Sequence, residues 1–142
     1  MKPRLTHIAL HLINFDACID FYKTYCQLNI IHQRDSGNKR IVWMAEEGRD
    51  TDFIFVMMSG GQNRAQDNND YGHLGFALDS KVAVDNIAAK ARKANCLVWE
   101  PREEPYPVAY YCGLKDPDGT FVEFSYGQPL GPGAEKVRFN LE

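Results

Sequence analysis

Two histidines and one glutamate, His7, His73 and Glu123, are the side chains of this 142-residue chain that most readily suggest chemistry. Each lies in a run of alternating apolar and other residues, which is typical of a half-buried β-strand. The histidines take the less apolar face of "THIALHLI" and "YGHLGFALD", and Glu123 interrupts the apolar run "TFVEFSYG". A carboxylate in the middle of a strand is costly to desolvate unless it is paired, hydrogen-bonded or bound to a cation.

Two imidazoles and one carboxylate form a ligand set for a divalent metal ion. They correspond to the facial triad of non-haem Fe(II) sites, and the same donors suit Mn, Ni or Zn. Such a set leaves coordination positions open for substrate and for dioxygen or water. The three residues are far apart in the sequence, so the prediction depends on how the chain repeats.

One order of predicted elements occurs twice along the chain. Each half has a strand, an amphipathic helix and three β-rich runs, with the polar link at 59–70 between the halves. Overlaying the halves places His73 on His7 and Glu123 on Phe55. Repetition of a whole element order indicates a duplicated structural unit.

The predicted fold class is α+β, with two tandem βαβββ modules that form partial β-barrels within a single domain, 1–142. The first module covers 4–58 and the second 71–126. The Gly- and Pro-rich segment 127–142 is expected to be an extended tail. The proline-rich stretch "EPREEPYP", 100–107, is expected to be a loop that crosses the surface.

Composition limits the partners and the compartment. A net charge of -3 provides no basic field for nucleic acid, and no segment reaches the ~18 apolar residues of a membrane span. The N-terminus has no apolar leader, so the protein is expected in the cytoplasm. The four cysteines, Cys18, Cys26, Cys96 and Cys112, have no metal-ribbon spacing and are predicted to be thiols.

The chain resembles the vicinal oxygen chelate superfamily, which includes glyoxalase I, extradiol ring-cleaving dioxygenases, fosfomycin-resistance enzymes and bleomycin-resistance proteins. The resemblance is carried by "LTHIALHLINFDACIDFY", "YGHLGFALD" and "DPDGTFVEFSYG" and extends over about residues 4–126. It implies that His7, His73 and Glu123 bind one divalent metal ion. It also implies a homodimer in which the site is shared between the chains.

Departures from the family pattern distinguish the possible activities. Glyoxalase I has a second glutamate at the fourth family position, where the overlay of the two halves places Phe55 in this chain. Fosfomycin-type enzymes have a threonine where this chain has Ala9 and a tyrosine where it has Gly113. The resemblance therefore favours an extradiol-type dioxygenase with Fe(II), which chelates a vicinal diol and uses dioxygen.

Two further readings remain open. One is a glyoxalase-like lyase or a fosfomycin-type thiol transferase, and the other is a metal-free protein that sequesters a small ligand. In the enzyme readings His11 and Tyr111 are the candidate acid-base groups, in addition to Glu123. Cys112 lies close to this predicted chemistry in the sequence.

Overall fold

A computed structural model describes residues 1–132 and 134 of the chain. The elements are, in chain order, β1 (His7–Leu12), α1 (Phe15–Tyr25), β2 (Asn29–Ser36), β3 (Lys39–Ala45), β4 (Ile54–Ser59), β5 (Leu74–Ala77), α2 (Lys81–Lys93), β6 (Leu97–Glu104), β7 (Ala109–Lys115) and β8 (Phe121–Tyr126). The prediction of an α+β fold with two βαβββ modules is confirmed.

The chain divides into two compact units, the first from Met1 to Arg64 and the second beginning at Ala65. Each unit contains one four-stranded sheet, in the order β1-β4-β3-β2 in the first and β5-β8-β7-β6 in the second. In each, the first strand runs parallel to the last, and the other neighbours are antiparallel. The first and last strands of a module, which carry the predicted ligands of the second unit, are therefore adjacent.

Each helix covers one face of its own sheet. In α1 the residues Cys18 and Tyr22 are fully buried, and in α2 the same holds for Val84 and Ala88. Ser80 caps α2, because its hydroxyl oxygen accepts a hydrogen bond from the Ala83 N–H at 3.1 Å. With one face taken by a helix, the other face of each sheet remains for a ligand or a partner.

The prediction of a surface loop at 100–107 is wrong for the first half of that range. Strand β6 runs through Pro101 to Glu104, and the residues that leave the strand begin at Pro105. Pro101 lies where the register with β7 shifts, between Trp99 and Arg102, and β6 is an edge strand. A bulge on an edge strand needs no backbone N–H at that position, so proline is tolerated there.

The tail expected at 127–142 lies largely outside the described residues. In its described part, residues 127–132 form bends and a turn. No helix within the described part of the chain is long and apolar enough to cross a membrane.

Candidate metal and substrate site

The candidate site lies on the side of the second sheet that faces away from α2. Cys112 marks the helix side, because its thiol lies 3.9 Å from the Val84 carbonyl oxygen in α2. Alternate residues of β7 and β8 point the other way, and their register partners on β5 share that side. We call this side the site face; it carries Gly75, Tyr111, Gly113, Phe121, Glu123 and Ser125.

His73 and Glu123 are brought together at this face. His73 immediately precedes β5, and Glu123 pairs with Gly75 in the parallel β5–β8 ladder. The Nε2 atom of His73 lies 3.9 Å from Oε1 of Glu123. Glu123 is only 8% exposed. Nδ1 of His73 lies 2.7 Å from the Tyr71 carbonyl oxygen. A carbonyl only accepts, so Nδ1 carries a hydrogen in this bond and Nε2 is the ring nitrogen that faces the carboxylate; in the corresponding neutral tautomer Nε2 offers its lone pair.

This arrangement suits a divalent metal ion. Histidine ligands commonly donate their second ring N–H to a backbone carbonyl, which fixes the ring and the tautomer. Two donor atoms 3.9 Å apart can share one ion, because each would lie about 2.1 Å from it. Within residues 1–132 and 134, no group of three or more His, Cys, Asp or Glu side chains is arranged so that it could hold a metal ion.

His7, the third predicted ligand, belongs to the first unit. It is the exposed first residue of β1, and Ile54 of β4 is its register partner. Its Nδ1 atom lies 3.0 Å from the Thr6 hydroxyl oxygen. Its role as a ligand stays a prediction from the sequence.

Two glycines flank Glu123 in the sheet. Gly75 is its partner on β5 and Gly113 its partner on β7. A Cβ atom on Gly113 would overlap the Trp99 ring, so this indole lies directly over the glycine. Trp99 also meets His73 and Phe121 edge-on, with ring centroids 5.8 and 5.4 Å apart. The indole therefore forms an apolar wall beside the imidazole and explains why residue 113 has no side chain.

Tyr111 lies on the same face and is hydrogen-bonded to an arginine. Its register partner is Ser125, and the residue is 8% exposed. The Arg102 Nε–H donates to the phenol oxygen at 2.7 Å, and the guanidinium carbon lies 5.2 Å from the ring centroid. The sequence reasoning missed Arg102 because it assigned this part of β6 to a loop. Trp99 and Arg102 share a face only because the register shifts between them, so simple alternation along the sequence would not have found Arg102.

His11 lies against Gly61 and Gln62, which follow β4 in the first unit. Its Nε2 atom lies 2.6 Å from the Gln62 carbonyl oxygen, so Nε2 carries the hydrogen in that bond. The ring also lies against Gly61, where a Cβ atom would overlap it. Gly61 has φ +83, a conformation that glycine adopts without strain. These contacts hold the ring in place, and its acid-base role stays a prediction.

The sheet register corrects the choice of Phe55 as the counterpart of Glu123. Glu123 pairs with the second residue after His73, whereas the second residue after His7 is Ala9, and Ala9 pairs with Val56. Phe55 pairs with Ile8 and Met44, and it is buried on the helix side. The sequence overlay was therefore shifted by one residue, which moves a side chain to the opposite face. Valine cannot bind a metal either, so the absence of a fourth ligand at this position still holds.

Cys112 does not provide a nucleophile at neutral pH. The residue is fully buried in the second unit. Burial, reinforced by the negative charges of Asp85, Glu123 and Glu100, raises the pKa of the Cys112 thiol to about 12. The thiolate is the reactive form of cysteine, so this thiol is a packing group.

Comparison with known proteins agrees with this fold. The family model of the Glyoxalase/Bleomycin resistance protein/Dioxygenase superfamily matches residues 4–124. An uncharacterized protein of Pseudomonas aeruginosa, PA2024, is 60% identical over 137 residues, which are 96% of this chain and 98% of that protein. The chain therefore belongs to this superfamily, also known as the vicinal oxygen chelate superfamily.

Two solved structures show the same fold at low sequence identity. The trypanothione-dependent glyoxalase I of Leishmania major is 17% identical, with a TM-score of 0.71 over 95% of this chain and 94% of that one. A mutant of the fosfomycin resistance protein FosX from Listeria monocytogenes is 16% identical, with a TM-score of 0.72 over 90% of this chain and 95% of that one. That structure is a complex with Mn(II) and 1S,2S-dihydroxypropylphosphonic acid.

Proposed function

We propose that this protein is a metal-dependent enzyme that acts on a small molecule through one divalent ion bound by His7, His73 and Glu123. The observation that carries the proposal is the pair formed by His73 and Glu123, 3.9 Å apart, with Nδ1 of the histidine tied to a carbonyl. A buried carboxylate beside an imidazole lone pair is compensated when a cation lies between them. The bound ion would act as a Lewis acid on two neighbouring oxygen atoms of the substrate.

The favoured reaction is ring cleavage by an Fe(II)-dependent dioxygenase of the extradiol type. Two imidazoles and one carboxylate are the ligand set of such sites, and Val56 supplies no fourth ligand. The wall formed by Trp99 and Phe121 next to His73 offers an apolar aromatic surface to a substrate ring. Tyr111, whose phenol oxygen already accepts a hydrogen bond from Arg102, can use its own O–H to donate to the substrate.

A second candidate is a glyoxalase-like lyase or a thiol transferase of the fosfomycin type. Arg102 supports it, because a guanidinium beside Tyr111 would attract a substrate with a carboxylate or phosphonate group. The FosX complex contains Mn(II) and a phosphonic acid in the same fold. In this reading the metal would be Mn, Ni or Zn.

The proposed assembly is a homodimer in the cytoplasm, in which the first module of one chain meets the second module of the other. This arrangement would let His7 of one chain complete the pair formed by His73 and Glu123. Sedimentation of the wild type would give a mass of two chains if the proposal is right and of one chain if it is wrong.

Metal analysis tests the proposed function directly. The protein is prepared without chelator, reloaded anaerobically with Fe(II) or Mn(II), and compared with Glu123→Gln, which keeps the shape of the side chain but removes its charge. Glu103→Gln is the control, because Glu103 is an exposed residue of the same unit that pairs with Lys81. We expect one metal ion per chain in the wild type and the control, and none in Glu123→Gln. A wild type without stoichiometric metal would contradict the proposal and favour a metal-free binding protein.

The two reactions are separated by the metal that supports turnover. Fe(II) that is lost in air, with oxygen uptake and a colour change on addition of catechols, identifies the dioxygenase. Turnover of an electrophilic substrate with a thiol in the presence of Mn, Ni or Zn, without any response to catechols, identifies the second candidate.

A further inference from the structure

One side-chain amide in the second unit connects the starts of the two strands that carry His73 and Glu123. Gln66, a half-buried residue in the link before β5, donates from Nε2 to the Gly72 carbonyl oxygen at 2.5 Å. Its Oε1 atom accepts a hydrogen bond from the Phe121 N–H at 2.8 Å. We call this pair of hydrogen bonds the Gln66 bridge.

The Gln66 bridge lies immediately before both candidate ligands in the chain. Gly72 precedes His73, and Phe121 is two residues before Glu123. The β5–β8 ladder begins only at Leu74 and Val122, so His73 lies outside it. The bridge therefore joins the two backbones at the point where the ladder has not yet begun.

The segment that carries Gln66 is itself held in place. The Gln66 N–H donates to the Gly119 carbonyl oxygen at 3.3 Å. Ala65 lies so close to Gly119 that a Cβ atom there would come within 2.9 Å of it. On the other side of the bridge, the Asp70 carboxylate accepts from the Gly72 N–H at 2.8 Å. These contacts hold the segment around Gln66 in place, so its amide can keep the Gly72 and Phe121 backbones at a fixed separation.

We propose that Gln66 is a positioning residue that sets the separation of His73 and Glu123 for metal binding; this inference rests on the proposed function. Only a carboxamide of this length can donate to the Gly72 carbonyl and accept from the Phe121 N–H at the same time. A glutamate can accept but not donate, and a leucine can do neither. Partners outside the ligand shell that orient ligands typically contribute roughly 10- to 100-fold to metal affinity.

The test is the Mn(II) affinity of the whole protein, measured by electron paramagnetic resonance titration. Gln66→Leu is expected to lower the affinity about tenfold or more, and Gln66→Glu by less, because it keeps the bond to Phe121. The matched control is Gln128→Leu, which removes another amide-to-carbonyl hydrogen bond of the second unit, the one to Val108. We expect the control to bind Mn(II) like the wild type at a similar melting temperature.

A second measurement uses the metal-free protein. The side-chain ¹⁵N shifts of His73 report its tautomer, and amide hydrogen exchange of Phe121 reports the bridge. The His73 shifts should change in both Gln66 variants. The Phe121 exchange should change in Gln66→Leu but stay close to the wild type in Gln66→Glu, which keeps the bond to the Phe121 N–H, and neither should change in Gln128→Leu. If Gln66→Leu does not fold, Gln66→Glu alone decides between the outcomes.

The outcomes separate the two proposals. If the Gln66 variants bind Mn(II) as tightly as the wild type while Glu123→Gln loses it, the positioning role is wrong and the proposed function stands. If the wild type binds neither Mn(II) nor Fe(II), both the proposed function and the metal-positioning role are overturned. Lower affinity in the Gln66 variants, with the Gln128→Leu control unchanged, supports both.

Discussion

The two sheets share one topology but differ at the position that matters most for chemistry. In the second sheet Glu123 lies between two glycines, Gly75 on β5 and Gly113 on β7. In the first sheet the same position is Val56, which lies between Ala9 and Trp43. The duplicated frame thus supplies two equivalent positions, and only one of them carries a carboxylate with space beside it.

The aromatic residues of the two sheets explain where that space comes from. In the first sheet the indole of Trp43 is on β3, directly beside β4, and it packs against His32 of the edge strand β2, with ring centroids 5.4 Å apart. In the second sheet the indole is on the edge strand β6, as Trp99, and the strand beside β8 has Gly113 instead. An indole ring therefore lies on this face of both sheets. In the first sheet it comes from the strand next to Val56, and in the second it comes from the edge strand, one strand further from Glu123.

The largest expected effect comes from filling Gly113. In Gly113→Ala the new methyl group would overlap the Trp99 ring, which must then move. Overpacking of this kind costs about 3 kcal/mol of unfolding free energy. Urea unfolding of the metal-free protein, followed by circular dichroism, measures the loss.

The glycine on the other side of Glu123 provides the control. A Cβ atom on Gly75 would lie 3.7 Å from the Glu123 carboxylate, which is an ordinary contact. Gly75→Ala should therefore gain about 0.5 kcal/mol, because alanine is better than glycine in a strand. Equal losses of unfolding free energy in the two variants would show that contact with Trp99 is not the reason for a glycine at position 113. Adding Trp99→Ala to Gly113→Ala should remove most of the overlap.

The fold was predictable from the sequence because it depends on local periodicity. Alternation in "HIALHL" and "GFAL", helical spacing in α1 and the Ser80 cap are short-range features, and their order recurs. The exact counterpart of Glu123 was not predictable, since register between strands is a long-range property and an error of one residue exchanges Val56 for Phe55. Arg102 was missed for a related reason, because a proline in a bulge has the composition of a loop.

The candidate site was predictable in part. The carboxylate in the middle of β8 and the histidine before β5 were identified from their faces, and they meet in the second unit. Gln66 could not be found in this way, because its two partners are backbone groups that have no sequence signal.

The next effect concerns Cys112, whose counterpart in the first sheet is Val42. Each is fully or almost fully buried on its helix side. The pKa of the Cys112 thiol is about 12 in the folded protein, above its ordinary value of 9.0. The unfolded chain loses this proton first, so the contribution to stability is complete below pH 9 and is lost as the pH rises toward 12.

Cys112→Val should reduce this alkaline loss. In the wild type the thiol contributes a fall of up to about 1.4 kcal/mol per pH unit in this window, and the variant lacks that contribution. Unfolding in urea at several pH values between neutral and alkaline measures the two slopes. Tyr110, whose pKa is raised first by its hydrogen bond to Asp85 and also by the charge of Cys112, is present in both proteins, so the difference contains the thiol and its coupling to Tyr110. Parallel slopes would mean that Cys112 titrates normally.

A smaller effect than that of Gly113→Ala comes from giving the second sheet the residue of the first. Glu123→Val removes a nearly buried carboxylate whose neighbour at this face is the imidazole of His73, 3.9 Å away. Removing its desolvation cost should raise the unfolding free energy of the metal-free protein by about 1 kcal/mol. The reciprocal change, Val56→Glu, should lower it by a similar amount.

If the second position is built for a metal ion, Mn(II) should stabilise the wild type and leave Glu123→Val unchanged, so the order of stability reverses when metal is added. A loss of stability in metal-free Glu123→Val would mean that the carboxylate supports the fold by itself, because a side chain kept only for a ligand is costly when the ligand is absent.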